Sequence, residues 1–168
     1  MSDLAFGCSH TFGVGVKPDE AWPALLGLTN CGRPGCSADY IVRTAPSIIN
    51  EYKPSKVYIL WPNYSRFEYY DEREDRIFQS LPSDKNRILF MQDWTEEKLL
   101  DNFSNKVTEM KNFCKQHNIK LIDLTLIDLI PYIDNSDRWP ISKLGHHYAP
   151  EWHRWVADIF QKVDNNEK

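Results

Sequence analysis

The sequence predicts an α/β domain in which a mainly parallel sheet is enclosed between two layers of helices, a three-layer sandwich. Short apolar runs alternate with longer stretches of helical periodicity, the pattern of strands joined by crossover helices. One of those runs, KVYILW from Lys56 to Trp61, is β-branched and aromatic and is the strongest strand signal in the chain. A small-residue turn follows the first apolar run at once, where sheets of this kind display their ligand loops.

The elements follow in order. Asp3 to Phe6 has an apolar centre closed by Gly7 and reads as the first strand. Pro18, Asp19 and Glu20 open a helix, because proline suits the first turn and acids suit the positive end of the helix dipole. AWPALLGL supplies its apolar face, with Pro23 either early in it or kinking it. Leu28 to Cys31 is the second strand and ends in the turn-rich GRPGCS. From Ser37 to Tyr52, Ala38, Ile41, Val42, Ala45, Ile48 and Ile49 fall on one helical face. KVYILW then runs to Pro62, which stops it. In NYSRFEYYDEREDRIF the charged half predicts a helix from about Asp71 to Ser80, and Arg87 to Met91 reads as a short extended piece. Asp93 with Glu96 three residues on resembles a capping box, and a long helix is expected from there to about Gln116. Ile119 to Leu124 is a buried strand, Leu126 to Tyr132 a short helix or turn, and Pro150 to Val163 the closing helix.

Length and composition bound the function. The 168 residues suit one ordinary domain, and no Gly/Ser-rich or Pro-rich run breaks the middle, so residues 1–168 are expected to fold as one unit. A hydrophobic share of 42% with 26% charged residues is that of a soluble globular protein. The formal charge of −4 argues against nucleic acid or an anionic membrane as partner. MSDLAFG lacks the positive start and apolar core of a secretory signal, and no apolar run approaches the roughly 18 residues that span a bilayer. The expected location is the cytoplasm, where Cys8, Cys31, Cys36 and Cys114, which lack framework-like spacing, are expected to be free thiols.

The chemistry centres on FGCSHTFGVG, Phe6 to Gly15. Three uses fit such a turn: a phosphate cradle, a metal or thiol site on Cys8 and His10, or the display of Ser9 as a nucleophile. The phosphate reading lacks its motif, since there is no GxxxxGK followed by Ser or Thr, and GVG has no third glycine at the dinucleotide spacing. A serine nucleophile needs a histidine to take its proton, and without one a turn serine simply bonds its own backbone. Of the five histidines, His10, His117, His146, His147 and His153, three crowd into GHHYAPEWHRWVA around the start of the closing helix. Their spacing matches no common zinc motif, so neither metal nor cofactor is expected.

Taken as an ordered set, these residues resemble the SGNH, or GDSL-like, hydrolases. The family's first block, a Gly-Asp-Ser turn after the first strand, is similar to Gly7-Cys8-Ser9 followed by His10-Thr11-Phe12-Gly13. Its second, a glycine in the turn after the second strand, is matched by Gly35 within Asn30 to Ser37. Its third, Gly-x-Asn, resembles Trp61-Pro62-Asn63 with tryptophan in place of glycine. The last block is Asp-x-x-His before the final helix, commonly with Pro, His and Ala three, six and ten residues after the histidine. From His147 those positions hold Pro150, His153 and Ala157, whereas His146 misses all three. The four blocks keep the family order across nearly the whole chain.

The resemblance implies a flavodoxin-like parallel sheet and a serine esterase. Ser9 would attack an ester carbonyl with His147 as general base and then acid. The oxyanion would be held by the backbone N–H groups of Ser9 and Gly35 and the side-chain amide of Asn63. The implied substrate is an acyl or acetyl ester of a small molecule or glycan, hydrolysed without cofactor or metal. His10, beside Ser9, and Arg66 and Glu68, just past Asn63, are candidates to contact it, although solvent is the commoner setting for such a turn histidine and a surface ion pair for the other two. Trp61, Tyr64, Phe67, Tyr69 and Tyr70 supply aromatic surface for an acyl or sugar wall, part of it needed by the core. Two positions depart from the family. Cys8 replaces the Asp of the first block, and Leu144 stands where the Asp three before the catalytic His belongs. That acid fixes the histidine tautomer and stabilises its charged form, a task left to Asp137 or Asp134 in IDNSDRWP, or to a backbone carbonyl. Without it, the alternative is a non-catalytic binding or structural protein on the same fold.

Overall fold

The computed structural model of the protein describes residues 2–71, 76–80, 95–129 and 147–166. In chain order its elements are β1 (Leu4–Gly7), α1 (Ser9–Phe12), a 3-10 turn (Pro18–Glu20), α2 (Trp22–Leu25), β2 (Thr29–Asn30), α3 (Ala38–Tyr52) and β3 (Lys56–Leu60). Then come β4 (Phe67–Asp71), β5 (Arg76–Ser80), α4 (Glu96–Gln116), β6 (Lys120–Leu124), α5 (Leu126–Leu129) and α6 (Pro150–Asp164).

Four strands pair in parallel in the order β2-β1-β3-β6, with Leu4 opposite both Thr29 and Val57, and Val57 opposite Leu121. From β1 the chain goes first to its neighbour on one side, β2, and then crosses to β3 on the other. The loops leaving β1 and β3 therefore diverge, and the crevice between them is the kind of switch point at which doubly wound sheets bind ligands.

Side-chain alternation builds the layers. Leu4, Phe6, Val57 and Ile59 point to one face and pack with Ile41, Ala45 and Ile49 of α3 and Met110 and Cys114 of α4. Ala5, Tyr58, Leu60, Ile122 and Leu124 point to the other, against Trp22 of α2 and Trp152, Val156 and Phe160 of α6. Trp22 stacks on Phe160 with ring centroids 4.5 Å apart. Ser37 caps α3 as its composition suggests, its hydroxyl accepting the Tyr40 N–H at 3.2 Å. Among the described residues no helix is long and apolar enough to cross a membrane.

Three expectations are corrected. The helix expected from about Asp71 to Ser80 is instead an antiparallel hairpin, with Phe67 opposite Ser80, Tyr69 opposite Phe78 and Asp71 opposite Arg76. Residues of high helix propensity occupy the segment, but backbone pairing between the two strands overrides that local preference. The helix expected from Pro18 is split, because Ala21 is extended (φ −69°, ψ 141°) between the 3-10 turn and α2, leaving Pro23 in the first turn of α2 where its missing N–H costs nothing. Helix α4 is capped by Thr95, whose hydroxyl accepts the Lys98 N–H at 3.3 Å. Asp93 and the extended piece expected at Arg87 to Met91 lie outside the described residues.

Candidate active site

The turn after β1 is built on a glycine that nothing else can replace. A Cβ on Gly7 (φ 154°) would lie 2.1 Å from the Thr11 hydroxyl oxygen and 2.7 Å from the Leu60 carbonyl oxygen. With only hydrogen there, the strand turns directly into α1, the Cys8 carbonyl accepting the N–H groups of Thr11 (3.0 Å) and Phe12 (2.9 Å). Ser9 is the first residue of α1, so its own N–H has no acceptor within the helix. Its side chain is largely enclosed, with the residue 6% exposed.

The loop after β2 is tied to this turn. Asn30 Nδ2 donates to the carbonyls of Thr11 (3.0 Å) and Phe12 (3.2 Å), while its Oδ1 accepts the Gly32 N–H at 2.9 Å. The Gly7 carbonyl accepts the Arg33 N–H at 2.8 Å and the Cys36 thiol at 3.2 Å. Between them, Arg33-Pro34-Gly35-Cys36 closes with Cys36 N–H on the Arg33 carbonyl at 3.2 Å, and Gly35 has φ 79°. Proline second and a positive-φ glycine third is the arrangement of a type II turn. Burial, reinforced by the neighbouring Cys8, pushes the Cys36 thiol up to about 12, which keeps it protonated and unreactive. All four cysteines are free.

The turn after β3 presents Asn63. Its Oδ1 accepts the Ser65 N–H at 2.8 Å and its carbonyl the Arg66 N–H at 3.0 Å, so Nδ2 is the end of the amide left to donate elsewhere. Trp61, where the family pattern has glycine, is a core residue, 1% exposed. Its indole N–H reaches Asp123 at 3.0 Å and its ring meets Phe103 edge-on at 6.0 Å. Phe67 is likewise core, fully buried. Trp61, Pro62, Asn63, Tyr64, Leu100 and Phe103 line a mainly apolar cavity of about 170 Å³ beside the Asn63 amide.

His147 arrives just ahead of α6 and packs against the first loop. Its ring lies 5.5 Å from that of His10, which is itself enclosed by Tyr148 and Trp152, each 5.3 Å away, rather than facing solvent. Tyr148 and Trp152 stack at 4.7 Å. Burial, with further lowering by His147, Arg66 and His153, brings His10 down to about 4, and its Nδ1 is buried without a hydrogen-bond partner among the described residues. His153, six residues after His147, is 1% exposed, and its Nδ1 accepts the Trp22 N–H at 3.3 Å. Burial, opposed by Glu20 and assisted by His147, also brings His153 to about 4. Both rings are therefore neutral near pH 7.

Of the remaining candidates, Arg66 has Nε and Nη1 buried with no acceptor among the described residues. The Glu68 carboxylate is taken by Arg43, whose Nε and Nη2 donate to its two oxygens at 3.0 and 2.9 Å. Asp137, Asp134, Leu144 and His146 lie outside the described residues. No group of three or more His, Cys, Asp or Glu side chains among the described residues is arranged to hold a metal ion.

Sequence reasoning overlooked two parts of this arrangement. Asn30 clamps α1; an Asn with Gly two residues on is an Asx-turn signal, but nothing local announces that the same amide also binds Thr11 and Phe12. The Tyr148 and Trp152 rings that enclose His10 lie within GHHYAPEWHRWVA, where the histidines, Pro150 and Ala157 drew notice and the aromatic rings did not.

No family model and no curated protein sequence matches the chain. Solved structures do, over almost its whole length. The crystal structure of TesA aligns with a TM-score of 0.64 at 12% identity, covering 97% of each chain. A protein assigned to the G-D-S-L lipolytic family from Desulfitobacterium hafniense DCB-2 aligns at 0.51 and 20% identity, covering 96% of this chain and 98% of the other. The psychrotrophic esterase EstA from Pseudoalteromonas sp., in a structure inhibited by monoethylphosphonate, aligns at 0.51 and 11% identity over 99% and 98%. At such identities the likeness is one of fold: the chain has the α/β/α architecture of the GDSL, or SGNH, lipolytic enzymes.

Proposed function

We propose that the chain is a serine ester hydrolase of the SGNH type, acting on an acyl or acetyl ester of a small molecule or glycan through Ser9 and His147. The observation that carries this reading is the convergence of four loops. Those bearing Ser9, Gly35 and Asn63 leave the carboxyl ends of adjacent parallel strands, the first two bonded together through Gly7 and Asn30, and His147 packs on the neighbour of Ser9.

In the proposed reaction Ser9 Oγ forms a bond to the ester carbonyl carbon as His147 takes the hydroxyl proton. The carbonyl oxygen becomes an oxyanion, met by the Ser9 and Gly35 N–H groups and Asn63 Nδ2, a donor of this kind being worth about 3 kcal/mol in the transition state. Collapse expels the alcohol, which takes the proton from His147, and water repeats the sequence on the acyl-enzyme. The neutrality of His10 and His153 supports the assignment, because a charged ring beside His147 would oppose its imidazolium. The cavity beside Asn63 has room for a small acyl group. Asp137 is the proposed triad acid, with Asp134 as the other candidate.

A fluorophosphonate probe and a chromogenic acetate ester test the reading, the probe being apt because an esterase on this fold is inhibited by a phosphonate. Wild type should label and turn over ester, and Ser9→Ala and His147→Ala should lose roughly 10⁴-fold or more in kcat. A folded wild type that neither labels nor turns over ester makes the chain a binding protein instead. Asp137→Asn should cost a comparable factor if that carboxylate orients His147, and full activity in that variant removes it from the triad.

A further inference from the structure

Arg66 is placed unusually for an arginine. Its backbone N–H closes a turn on the Asn63 carbonyl at 3.0 Å, so it belongs to the same turn as the proposed oxyanion amide. Its guanidinium is always charged and carries only donors. Two of the three nitrogens, Nε and Nη1, are buried, and no described residue accepts from either. Glu68, two residues on, is the obvious counter-charge, yet both its oxygens are held by Arg43.

Among the described residues, the Arg66 charge bears on His10 and Cys36, one neutral and the other a protonated thiol, and neither supplies a counter-charge. His10 adds a second unmatched polar atom, its buried Nδ1, on the residue adjoining Ser9. A buried donor without an acceptor is costly, so donors such as Nε and Nη1 persist where a ligand completes them. Both unmatched groups belong to loops that flank the crevice between β1 and β3.

We propose that Arg66 and His10 form a binding point for an anionic oxygen group, a carboxylate, phosphate or sulfate, so that the ester cleaved at Ser9 carries a negative charge close to its scissile bond. The role of this anion as part of a substrate rests on the Ser9 esterase reading; the binding point itself does not. The guanidinium meets the anion's oxygens through Nε and Nη1, and His10 in its Nδ1–H form donates a further hydrogen bond.

Two measurements test this. In the first, the wild type and Arg66→Met and Arg66→Lys variants hydrolyse 4-nitrophenyl acetate, mono(4-nitrophenyl) succinate (charge on the acyl side) and 4-acetoxybenzoate (charge on the alcohol side). The methionine variant should lose roughly 10- to 100-fold more kcat/KM on one of the charged esters than on the neutral one, chiefly through KM, with lysine recovering part of the loss. In the second, calorimetry follows succinate, benzoate and inorganic phosphate binding to wild type, Ser9→Ala and folded Arg66→Met. Binding that survives Ser9→Ala and disappears in Arg66→Met supports the site, and the three anions separate an acyl-side, an alcohol-side and a phosphate group. Equal losses on neutral and charged esters, or no anion binding to wild type at millimolar concentration, overturn it. A wild type that binds an anion through Arg66 but cleaves none of the esters refutes the esterase reading and upholds the binding point.

Discussion

The rings of His10 and His147 lie 5.5 Å apart at an interplanar angle of 54°, so the residue after the proposed nucleophile packs against the proposed general base. Proton affinities in this pair are linked: each ring, when charged, disfavours charge on the other. Burial holds His10 in its neutral form, and His153 on the closing helix is neutral for the same cause.

Folding stability should fall in mild acid. His10 and His153 sit at about 4 in the folded protein against 6.5 ordinarily. The unfolded chain therefore binds protons that the folded one refuses, so the stability is full above about pH 6.5 and is lost as pH falls towards about 4, by up to about 1.4 kcal/mol per pH unit for each ring. Melting temperatures across that window should drop. His153→Asn, whose Oδ1 still accepts the Trp22 N–H but does not titrate, should flatten the slope; an unchanged slope contradicts the account.

Asn30→Ala should weaken the site without touching any proposed catalytic group. It removes the two bonds from Nδ2 to Thr11 and Phe12 and the one from Gly32 to Oδ1. A loss of about 1–3 kcal/mol in denaturant unfolding is expected, with kcat lowered and KM little moved. If kcat stays at the wild-type value, Asn30 holds the fold alone and not the Ser9 geometry.

Gly7→Ala should be among the most damaging single methyl additions in the chain. Because the new Cβ meets both Thr11 Oγ1 and the Leu60 carbonyl, Gly7→Ala with Thr11→Ala relieves only one clash and still leaves 2.7 Å to backbone. Destabilisation of about 2 kcal/mol or more is expected for the single variant, with incomplete rescue in the double. Full rescue by Thr11→Ala would show that the strand end can yield.

Trp61→Gly places there the glycine of the GDSL-like pattern and should nevertheless cost about 3–5 kcal/mol, measured by urea unfolding. It empties a core position packed on Phe103 and strips Asp123 of its indole donor. Wild-type stability in that variant would mean the loop accepts glycine as it stands.

Legibility followed the range of the forces involved. Strand β3 and helices α3 and α6 were readable because burial repeats with a period that sequence displays, and Ser37 and Pro150 mark their starts by local chemistry. The β4–β5 hairpin was not, because Tyr69 and Phe78 or Asp71 and Arg76 gain their meaning only when two strands come into register. Glu68 shows the same limit: nothing near it announces Arg43, which lies 25 residues earlier in the chain.

The sequence by itself determined the α/β alternation and the small-residue turn after the first strand, since each depends on neighbours within a few positions, and its resemblance to the SGNH pattern pointed to His147 rather than His146. Only the tertiary structure decided that His10 and His153 are neutral, that Glu68 belongs to Arg43 and that Arg66 has buried nitrogens with no acceptor among the described residues. Charge and proton affinity are fixed by how much water a group keeps and which charges stand beside it, and those are properties of packing between segments far apart in the chain.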